Sequence, residues 1–292
     1  MDAILVEVRR NGVVEARHRV HGVAVRRGEI VASVGDPGLT CFMRSSSKPI
    51  QALPLARARA DIDDRDLAIA SASHRGTPDQ VAAVRALLAK APALEDDLEL
   101  EPQEGRPPEK IFHNCSGKHA GMLALCRVRD WPIPGYRDPE HPVQQACLAA
   151  HAEASGLAAA GLATATDGCG VVTFGLSLER MARAYAVLGD LPEGGRVVAA
   201  MRAHPDLVGG PDGVDCALMR ASDGWYAKGG AEGLLCAGGP DGTGIALKAD
   251  DGSNRPLGPA LASFLALLGV DLTGPVSAGR TDGPVELVVT NS

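Results

Sequence analysis

Alternating apolar and polar residues near the N-terminus predict a run of β-strands. Residues 4–9 form one such segment, and the dipeptide Asn11-Gly12, a strong hairpin signal, separates it from a second segment at residues 13–27. A glycine turn then leads into residues 29–34. The chain is therefore expected to begin with an antiparallel meander.

The middle of the chain has the apolar spacing of helices instead. Residues 48–59 predict a helix with Pro49 in its first turn, where the missing N–H costs nothing, and Pro54 is expected to end or kink it. Residues 61–161 are mostly helical and alanine-rich, interrupted by a proline-rich, charged connection at residues 99–110. The segments with the clearest helical period are 80–91, 119–127, 143–155, 176–188, 195–204 and 260–268.

Strand patterns return toward the C-terminus, at residues 224–228 and 244–248, with a further strand expected at 285–289. Strands at both ends and helices between them predict a mixed α/β fold of the α+β type. Its antiparallel sheet is built from the N- and C-terminal parts of the chain, and a helical lobe is inserted between them.

The 292 residues suit one enzyme domain of two lobes. The sheet lobe is expected at about residues 1–60 and 220–292, and the helical lobe at about residues 61–219. Aromatic residues make up only 3% of the chain, so the core is expected to be aliphatic.

Charge and composition exclude several classes of partner. The net charge of -7 argues against binding to nucleic acid or to an anionic membrane surface. The longest apolar stretch, residues 260–270, has about half the length of a membrane span, and the first residues lack the features of a signal peptide. Seven scattered cysteines do not resemble a disulfide framework. A cytoplasmic, reduced protein is expected.

Lysine is scarce, with six residues among the 29 basic ones, and four of the six stand in short motifs. Arginine serves as well as lysine on a surface, but it cannot give up its proton. The bias indicates positions at which an amine is required for chemistry, and chance survival of a few lysines is the alternative. The four are Lys48, Lys118, Lys228 and Lys248.

The first of these motifs is Ser-x-x-Lys, formed by Ser45 and Lys48. At the start of a helix, residues three apart share a face, so the lysine amine can reach the serine hydroxyl. A serine becomes a nucleophile when a nearby base takes its proton, and lysine is such a base when its pKa is lowered. The alternative is a capping serine, a role also open to Ser46 and Ser47, beside a solvated lysine.

Three further positions have weaker signals. Ser73 and His74 follow small residues, which favours a close backbone approach, although a surface turn has the same pattern. Lys228, followed by two glycines on a predicted strand, is similar to the Lys-Thr-Gly strand of serine β-lactamases. Lys248 closes the next strand, and a surface salt bridge to the acidic residues after it is the alternative to a catalytic role.

The densest polar segment is residues 113–119, and it contains the first of two cysteines in tight loops, Cys115 and Cys169. Two thiolates from separate loops can hold zinc, with His119 or His113 as the third ligand. Lys118 is a surprising ligand because its amine must first lose a proton. The alternative is two unlinked cysteines, one of them packed in the core.

Eight blocks occur in an order typical of one family: residues 43–53, 72–74, 114–122, 138–142, 166–169, 204–208, 228–231 and 244–248. Together they resemble the asparaginase II family, the rhizobial-type or class 3 L-asparaginases, over about residues 3–270. The Asn-Cys-Ser-Gly-Lys-His block is the most specific. The fold of this family resembles that of serine glutaminases and β-lactamases. The match is loose at residues 208–219 and after Val270.

The resemblance implies hydrolysis of L-asparagine to L-aspartate and ammonia. It implies two serine–lysine pairs, Ser45 with Lys48 and Ser73 with Lys248. The mechanism expected from these pairs is acyl transfer through serine. The alternatives are another serine acyl-transfer enzyme, such as a glutaminase or a penicillin-binding or β-lactamase-like protein, and a non-catalytic protein that binds zinc or an amino acid.

The resemblance also implies a zinc (Zn²⁺) site on Cys115, Lys118 and Cys169, which replaces the histidine as third ligand. The metal is expected to support substrate binding without being strictly required, and no organic cofactor is expected. The family implies a homodimer. The residues expected to bind the substrate are Arg44, Asp167 and His119.

Overall fold

The computed structural model of the chain describes residues 1–272 and 285–290, which form two compact units. The first unit comprises Met1–Ser46, Leu176–Val187 and Asp212–Ser292, and the second comprises Ser47–Gly175 and Leu188–Pro211. Both terminal parts of the chain therefore belong to one unit. That the two units together act as a single enzyme domain stays a prediction.

The described residues form ten strands and ten helices. The strands are β1 (Ile4–Arg10), β2 (Val13–Arg26), β3 (Glu29–Val34), β4 (Thr40–Phe42), β5 (Ala163–Thr166), β6 (Val172–Ser177), β7 (Tyr226–Gly229), β8 (Leu234–Gly238), β9 (Thr243–Ala249) and β10 (Glu286–Thr290). The helices are α1 (Lys48–Ala58), α2 (Asp64–Ala70), α3 (Pro78–Lys90), α4 (Ser116–Val128), α5 (Pro142–Ser155), α6 (Leu178–Val187), α7 (Gly194–Ala203), α8 (Pro205–Val208), α9 (Val214–Ala221) and α10 (Leu257–Ala266).

The first unit is built on an antiparallel sheet with the strand order β10-β1-β2-β9-β8-β7, and β3 also pairs with β2. Strands from both ends of the chain thus meet at the β2–β9 pair, where Val20 lies opposite Ala249. The predicted fold class, α/β with an antiparallel sheet made from the terminal parts, is confirmed. Asn11 and Gly12 have φ angles of 47° and 80°, the left-handed backbone of a tight hairpin turn.

Helices α10 and α6 both pack against this sheet. Phe264 of α10 is fully buried and packs in one apolar cluster with Val20 and Leu247 of the sheet. On α6, the carbonyl oxygen of Ala182 lies so close to Gly244 of β9 that a β-carbon there would be 1.8 Å away. Burial of these apolar faces is the main favourable free energy of the unit.

The second unit consists mainly of helices, with the antiparallel pair of β5 and β6. Helices α2 and α4 approach each other closely at Gly117, where an added β-carbon would lie 2.2 Å from the carbonyl oxygen of Ile69. Helix α1 runs to Ala58 with Pro54 inside it, so Pro54 does not end the helix, and a kink at this position stays a prediction. Burial of this segment, including Pro54 itself, outweighs the lost backbone hydrogen bond.

The sequence patterns miss or misplace several elements. The patterns do not predict strands β4, β5, β6 and β8, and residues 176–177, expected to be helical, end strand β6. The predicted C-terminal strand is present as β10, whereas most of the glycine- and proline-rich tail from Gly274 lies outside the described residues. No helix in residues 1–272 or 285–290 has both the length and the apolar character needed to cross a bilayer.

Candidate active site

Lys48, the first residue of α1, is fully buried in the second unit. Its amine donates to the carbonyl oxygen of Ala72 at 2.6 Å and to the Ser73 hydroxyl at 3.0 Å, and it lies 3.5 Å from the carbonyl oxygen of Asn114. A buried amine needs such partners, because an unpaired one loses its hydration without compensation. The structure thus brings Lys48 and Ser73 together.

The segment after α2 is held in place by backbone hydrogen bonds. The Ser73 N–H donates to the carbonyl oxygen of Val208 at 2.8 Å, and the His74 N–H donates to that of Asn114 at 3.2 Å. Ala72 is fully buried, and its small side chain permits this close packing. Ser73 itself stays half-buried. The backbone at Ser73 is therefore fixed, while the residue remains partly accessible.

His74 is a fixed neutral donor beneath this segment. The Ser116 hydroxyl donates to the carbonyl oxygen of Ile111 at 2.8 Å, so it accepts from Nε2 of His74 at 2.7 Å. The other ring nitrogen accepts from the Gly76 N–H at 3.1 Å. Burial first, and the nearby charge of Lys48 second, lower the pKa of His74 to about 3. His74 therefore supports the backbone around Ser73 and does not act as a base.

The predicted metal ligands Cys115, Lys118 and Cys169 also converge in the second unit, and all three are buried. The Lys118 amine lies 3.0 Å from the Cys169 sulfur. A hydrogen bond from Cys115, and the charge of Lys118, hold the pKa of Cys169 far below its usual range in spite of burial. Burial alone would lower the pKa of Lys118, but the interactions with the two sulfurs have the larger effect, so the pKa of Lys118 is raised.

With these pKa shifts, Cys169 is a thiolate that pairs with the ammonium group of Lys118, and Cys115 beside them keeps its proton. The pKa of Cys115 is raised, first by its hydrogen bond to Cys169 and then by burial. Binding of a metal would require Cys115 and Lys118 to release protons. Among residues 1–272 and 285–290, no group of three or more His, Cys, Asp and Glu side chains is placed to hold a metal ion. A metal here would depend on the lysine as a ligand.

His119 lies next to this cluster, and its hydrogen bonds fix the position of the ring proton. The Tyr136 hydroxyl accepts from the Glu99 N–H at 3.0 Å and lies 2.7 Å from Nδ1 of His119. The hydroxyl proton is thus directed to Nδ1, which places the ring proton on Nε2. That nitrogen is buried, and the imidazole interacts with the Cys169 sulfur, which lowers the pKa of that thiol. A ring N–H beside a thiolate stabilises the negative charge of the sulfur.

The remaining predicted residues lie in loops or at strand ends. Asp167 is half-buried in the loop after β5, where its carboxylate accepts from the Gly168 N–H at 2.8 Å. In the first unit, Ser45 is half-buried in a 3-10 turn that begins at Arg44, and the amine of Lys248 donates to the carbonyl oxygen of Ala249. The pairings of Ser45 with Lys48 and of Ser73 with Lys248 join residues of different units, and they stay predictions.

Sequence reasoning missed one residue of interest, Asp215. Its carboxylate lies 3.3 Å from the amine of Lys228, and both side chains are buried in the first unit. Lys228 was singled out by its motif, but no fixed spacing connects it with Asp215. The only sequence feature noted around Asp215 is the glycine-rich segment at residues 208–219, which resembles the family loosely.

Comparison with known proteins gives limited similarity outside one family. The sequence matches none of the curated proteins with which it was compared. Among solved structures, one described as Mglu in its native form is 14% identical to this chain, with a TM-score of 0.47. The match covers 88% of this chain and 65% of the other, which is less than two thirds of its length. A beta-lactamase from Mycobacterium bovis is 15% identical with a TM-score of 0.37, over 85% of this chain and 92% of the other.

One match extends over nearly the whole sequence. The L-asparaginase II family matches residues 6–283, a span that includes the Lys48–Ser73 pair and the cluster of Cys115, Lys118 and Cys169. This chain therefore belongs to the L-asparaginase II family.

Proposed function

We propose that this protein hydrolyses L-asparagine to L-aspartate and ammonia by acyl transfer through serine. Membership of the L-asparaginase II family supports an asparaginase-type hydrolase. The observation that carries the mechanism is the buried amine of Lys48 at 3.0 Å from the Ser73 hydroxyl. A desolvated lysine in contact with a serine is the arrangement expected where an amine moves protons to and from hydroxyl groups.

In the proposed first step, Ser45 attacks the side-chain amide carbon of asparagine while Lys48, three residues later in the chain, accepts the hydroxyl proton. The C–N bond breaks, the proton passes to the leaving nitrogen, and ammonia departs from a β-aspartyl ester. Ser73 and Lys248 are proposed to relay the proton and then to activate the water that hydrolyses the ester. Backbone N–H groups near Ser45 would stabilise the oxyanion.

The charged ends of the substrate require complementary groups. Arg44 is proposed to bind the α-carboxylate and Asp167 the α-amine, because each charge loses water on binding and needs a partner. His119 is proposed as a further residue that contacts the substrate. Such contacts would select a small amino acid over a neutral amide.

We further propose that Zn²⁺ binds Cys115, Lys118 and Cys169. The donors fit because two sulfurs and an amine already converge, with the Lys118 amine 3.0 Å from the Cys169 sulfur. A bound zinc ion would hold the two loops together and add positive charge, without supplying the nucleophile. A homodimer and a cytoplasmic location are also proposed; light scattering should give twice the mass of one chain.

The test is ammonia release from L-asparagine, with L-glutamine and a chromogenic β-lactam as competing substrates. We expect release from asparagine, and strong losses in Ser45→Ala and in Ser73→Ala. Ser222→Ala is a matched control at a half-buried serine outside the motifs. Trapping the ester with asparagine and locating it by mass spectrometry should place it on Ser45. Absence of asparagine turnover, or full activity in both serine variants, would overturn the proposal.

A further inference from the structure

The first unit contains a buried ion pair that the proposed chemistry does not use. Lys228 on β7 is 1% exposed and Asp215 in the first turn of α9 is 5% exposed. The Lys228 amine lies 3.3 Å from the Asp215 carboxylate and donates to the carbonyl oxygen of Gly229 at 2.9 Å. The carboxylate also accepts from the N–H groups of Gly229 at 3.0 Å and Cys216 at 2.9 Å.

One peptide group connects this ion pair to a different element. The peptide between Lys228 and Gly229 donates its N–H to Asp215, and its carbonyl oxygen accepts from the Ser46 hydroxyl at 2.9 Å. A carboxylate that binds the N–H of a peptide polarises its C=O, so the two hydrogen bonds strengthen each other. The charges at Lys228 and Asp215 therefore act on the position of Ser46.

Ser46 belongs to the turn that presents Ser45. Its N–H donates to the carbonyl oxygen of Met43 at 3.0 Å, and its own carbonyl oxygen accepts from the Tyr185 hydroxyl at 2.7 Å. Within the turn, Arg44 has a φ of 50°, a left-handed conformation that costs free energy for a side chain with a β-carbon. Such a turn persists only where its surroundings hold it.

The residue that follows β7 also approaches this turn without space for a side chain. A β-carbon at Gly230 would lie 2.9 Å from both the Met43 carbonyl oxygen and the Ser46 hydroxyl oxygen. The Lys228-Gly-Gly sequence thus combines a charged anchor with a glycine that lets the strand reach the turn. Both parts of the motif serve the same contact.

We infer that Lys228 and Asp215 are positioning residues that fix the Met43–Ser46 turn and hence the hydroxyl of Ser45. This inference rests on the proposed role of Ser45 as the nucleophile. A purely stabilising role is the alternative, but a buried ion pair is often no more stabilising than apolar residues of similar volume. A role in positioning accounts for the link from the ion pair through one peptide to Ser46.

The experiment compares Lys228→Met, Asp215→Asn and Lys228→Arg with the wild type. Folding is checked by circular dichroism and thermal melting, and kcat and KM for asparagine are measured on the folded protein. We expect kcat to fall about 10- to 100-fold in Lys228→Met and Asp215→Asn, because small displacements of a reacting group have costs of this order. KM should stay within about two-fold, and Lys228→Arg should retain more activity than Lys228→Met because it keeps the charge.

A matched control removes another lysine from a buried carboxylate. Lys90 in the second unit pairs with Asp66, whose side chain is 2% exposed, at 2.5 Å. Lys90→Met should leave kcat unchanged even if the melting temperature falls. If Lys228→Met does not fold, Asp215→Asn and Ser46→Ala decide the question, since each alters the same chain of contacts.

The outcomes separate this inference from the proposed function. Folded Lys228→Met and Asp215→Asn proteins with kcat within about two-fold of the wild type would overturn the positioning role, whatever their melting temperatures. If Ser45→Ala is inactive in that case, the proposed function stands and only this inference fails. Wild-type turnover in Ser45→Ala would instead remove the role of Ser45, and with it the basis for positioning.

Discussion

The amine of Lys48 donates to the hydroxyl of Ser73 over 3.0 Å, although the two residues are 25 positions apart in the chain. The family resemblance pairs Ser73 with Lys248 and assigns Lys48 to Ser45. The contact with Ser73 gives this amine a serine partner other than Ser45, the partner that the resemblance implies. Loss of Lys48 is therefore expected to affect both halves of the acyl-transfer cycle.

Lys48→Met and Lys48→Arg should each lower kcat for asparagine about 1,000-fold, within the range typical of a lost general base. Arginine fails because it keeps its proton at the pH of the assay. Lys110→Met, at a lysine whose amine donates to the Asp96 carbonyl oxygen, is the control and should keep full activity. Activity above about one tenth of the wild type in Lys48→Arg would show that the amine does not act as a base.

The second prediction concerns acid stability and His151. Burial lowers the pKa of His151 to about 4 from its ordinary 6.5. As the pH falls from 6.5 to 4, the unfolded chain takes up a proton that the folded protein refuses, so the folded state loses stability in this window. At pH 5 the loss from this group is about 2 kcal/mol at most.

His151→Phe should remove that contribution, because phenylalanine does not titrate and can stack on Phe174 as the imidazole does. The measurement is the free energy of unfolding in urea at pH 7 and at pH 5. The difference between the two pH values should shrink by up to about 2 kcal/mol in the variant. A difference equal to that of the wild type would mean that His151 does not disfavour its proton in the folded state.

Zinc content should depend on the sulfur cluster. Protein purified without chelator is expected to release zinc on denaturation, and Cys169→Ala should abolish this release because a thiolate is the strongest ligand of the set. Cys126→Ala is the matched control, since Cys126 is a buried cysteine on α4 outside the cluster. If the two variants release equal amounts of zinc, Cys169 does not bind the metal: either zinc binds elsewhere or the protein holds none.

Packing at Gly117 should be needed to place the start of α4. Gly117→Ala is expected to lower the free energy of unfolding by about 3 kcal/mol or more, because the new β-carbon meets the Ile69 backbone and cannot be accommodated by a rotamer change. Gly161→Ala, where no atom lies within 4 Å of the new carbon, should change it by about 0.5 kcal/mol or less. Similar melting curves for the two variants would contradict this close approach.

Local sequence patterns were sufficient to predict the structure where one local interaction determines it. The hairpin at Asn11-Gly12 follows from a left-handed turn that few residues adopt, and the polar segment at residues 113–119 supplies Cys115 and Lys118 to the buried cluster with Cys169. Helix α1 shows the limit, since Pro54 disfavours the helix locally and tertiary burial overrides it. The short strands β5 and β8 lack a clear alternating pattern of their own.

Pairs formed by the fold were harder to predict. Asp215 and Lys228 contact each other through the packing of α9 beside β7, and nothing in their spacing requires it. The charge state of Lys118 also depends on burial next to two sulfurs, which sequence alone does not give. Chemistry confined to one motif can be read from the residues, whereas chemistry shared between distant segments requires the structure.

The pairing of β2 with β9 has a consequence for biosynthesis. His21 on β2 binds Asp250, 229 residues later in the chain, so the centre of the sheet closes only after most of the polypeptide has left the ribosome. Until then the apolar face of the N-terminal strands has no partner. Contacts of such long sequence separation slow folding and prolong exposure to aggregation. Slower translation of the early segments would give no benefit, whereas a chaperone that shields the nascent hairpin should raise the yield of native protein.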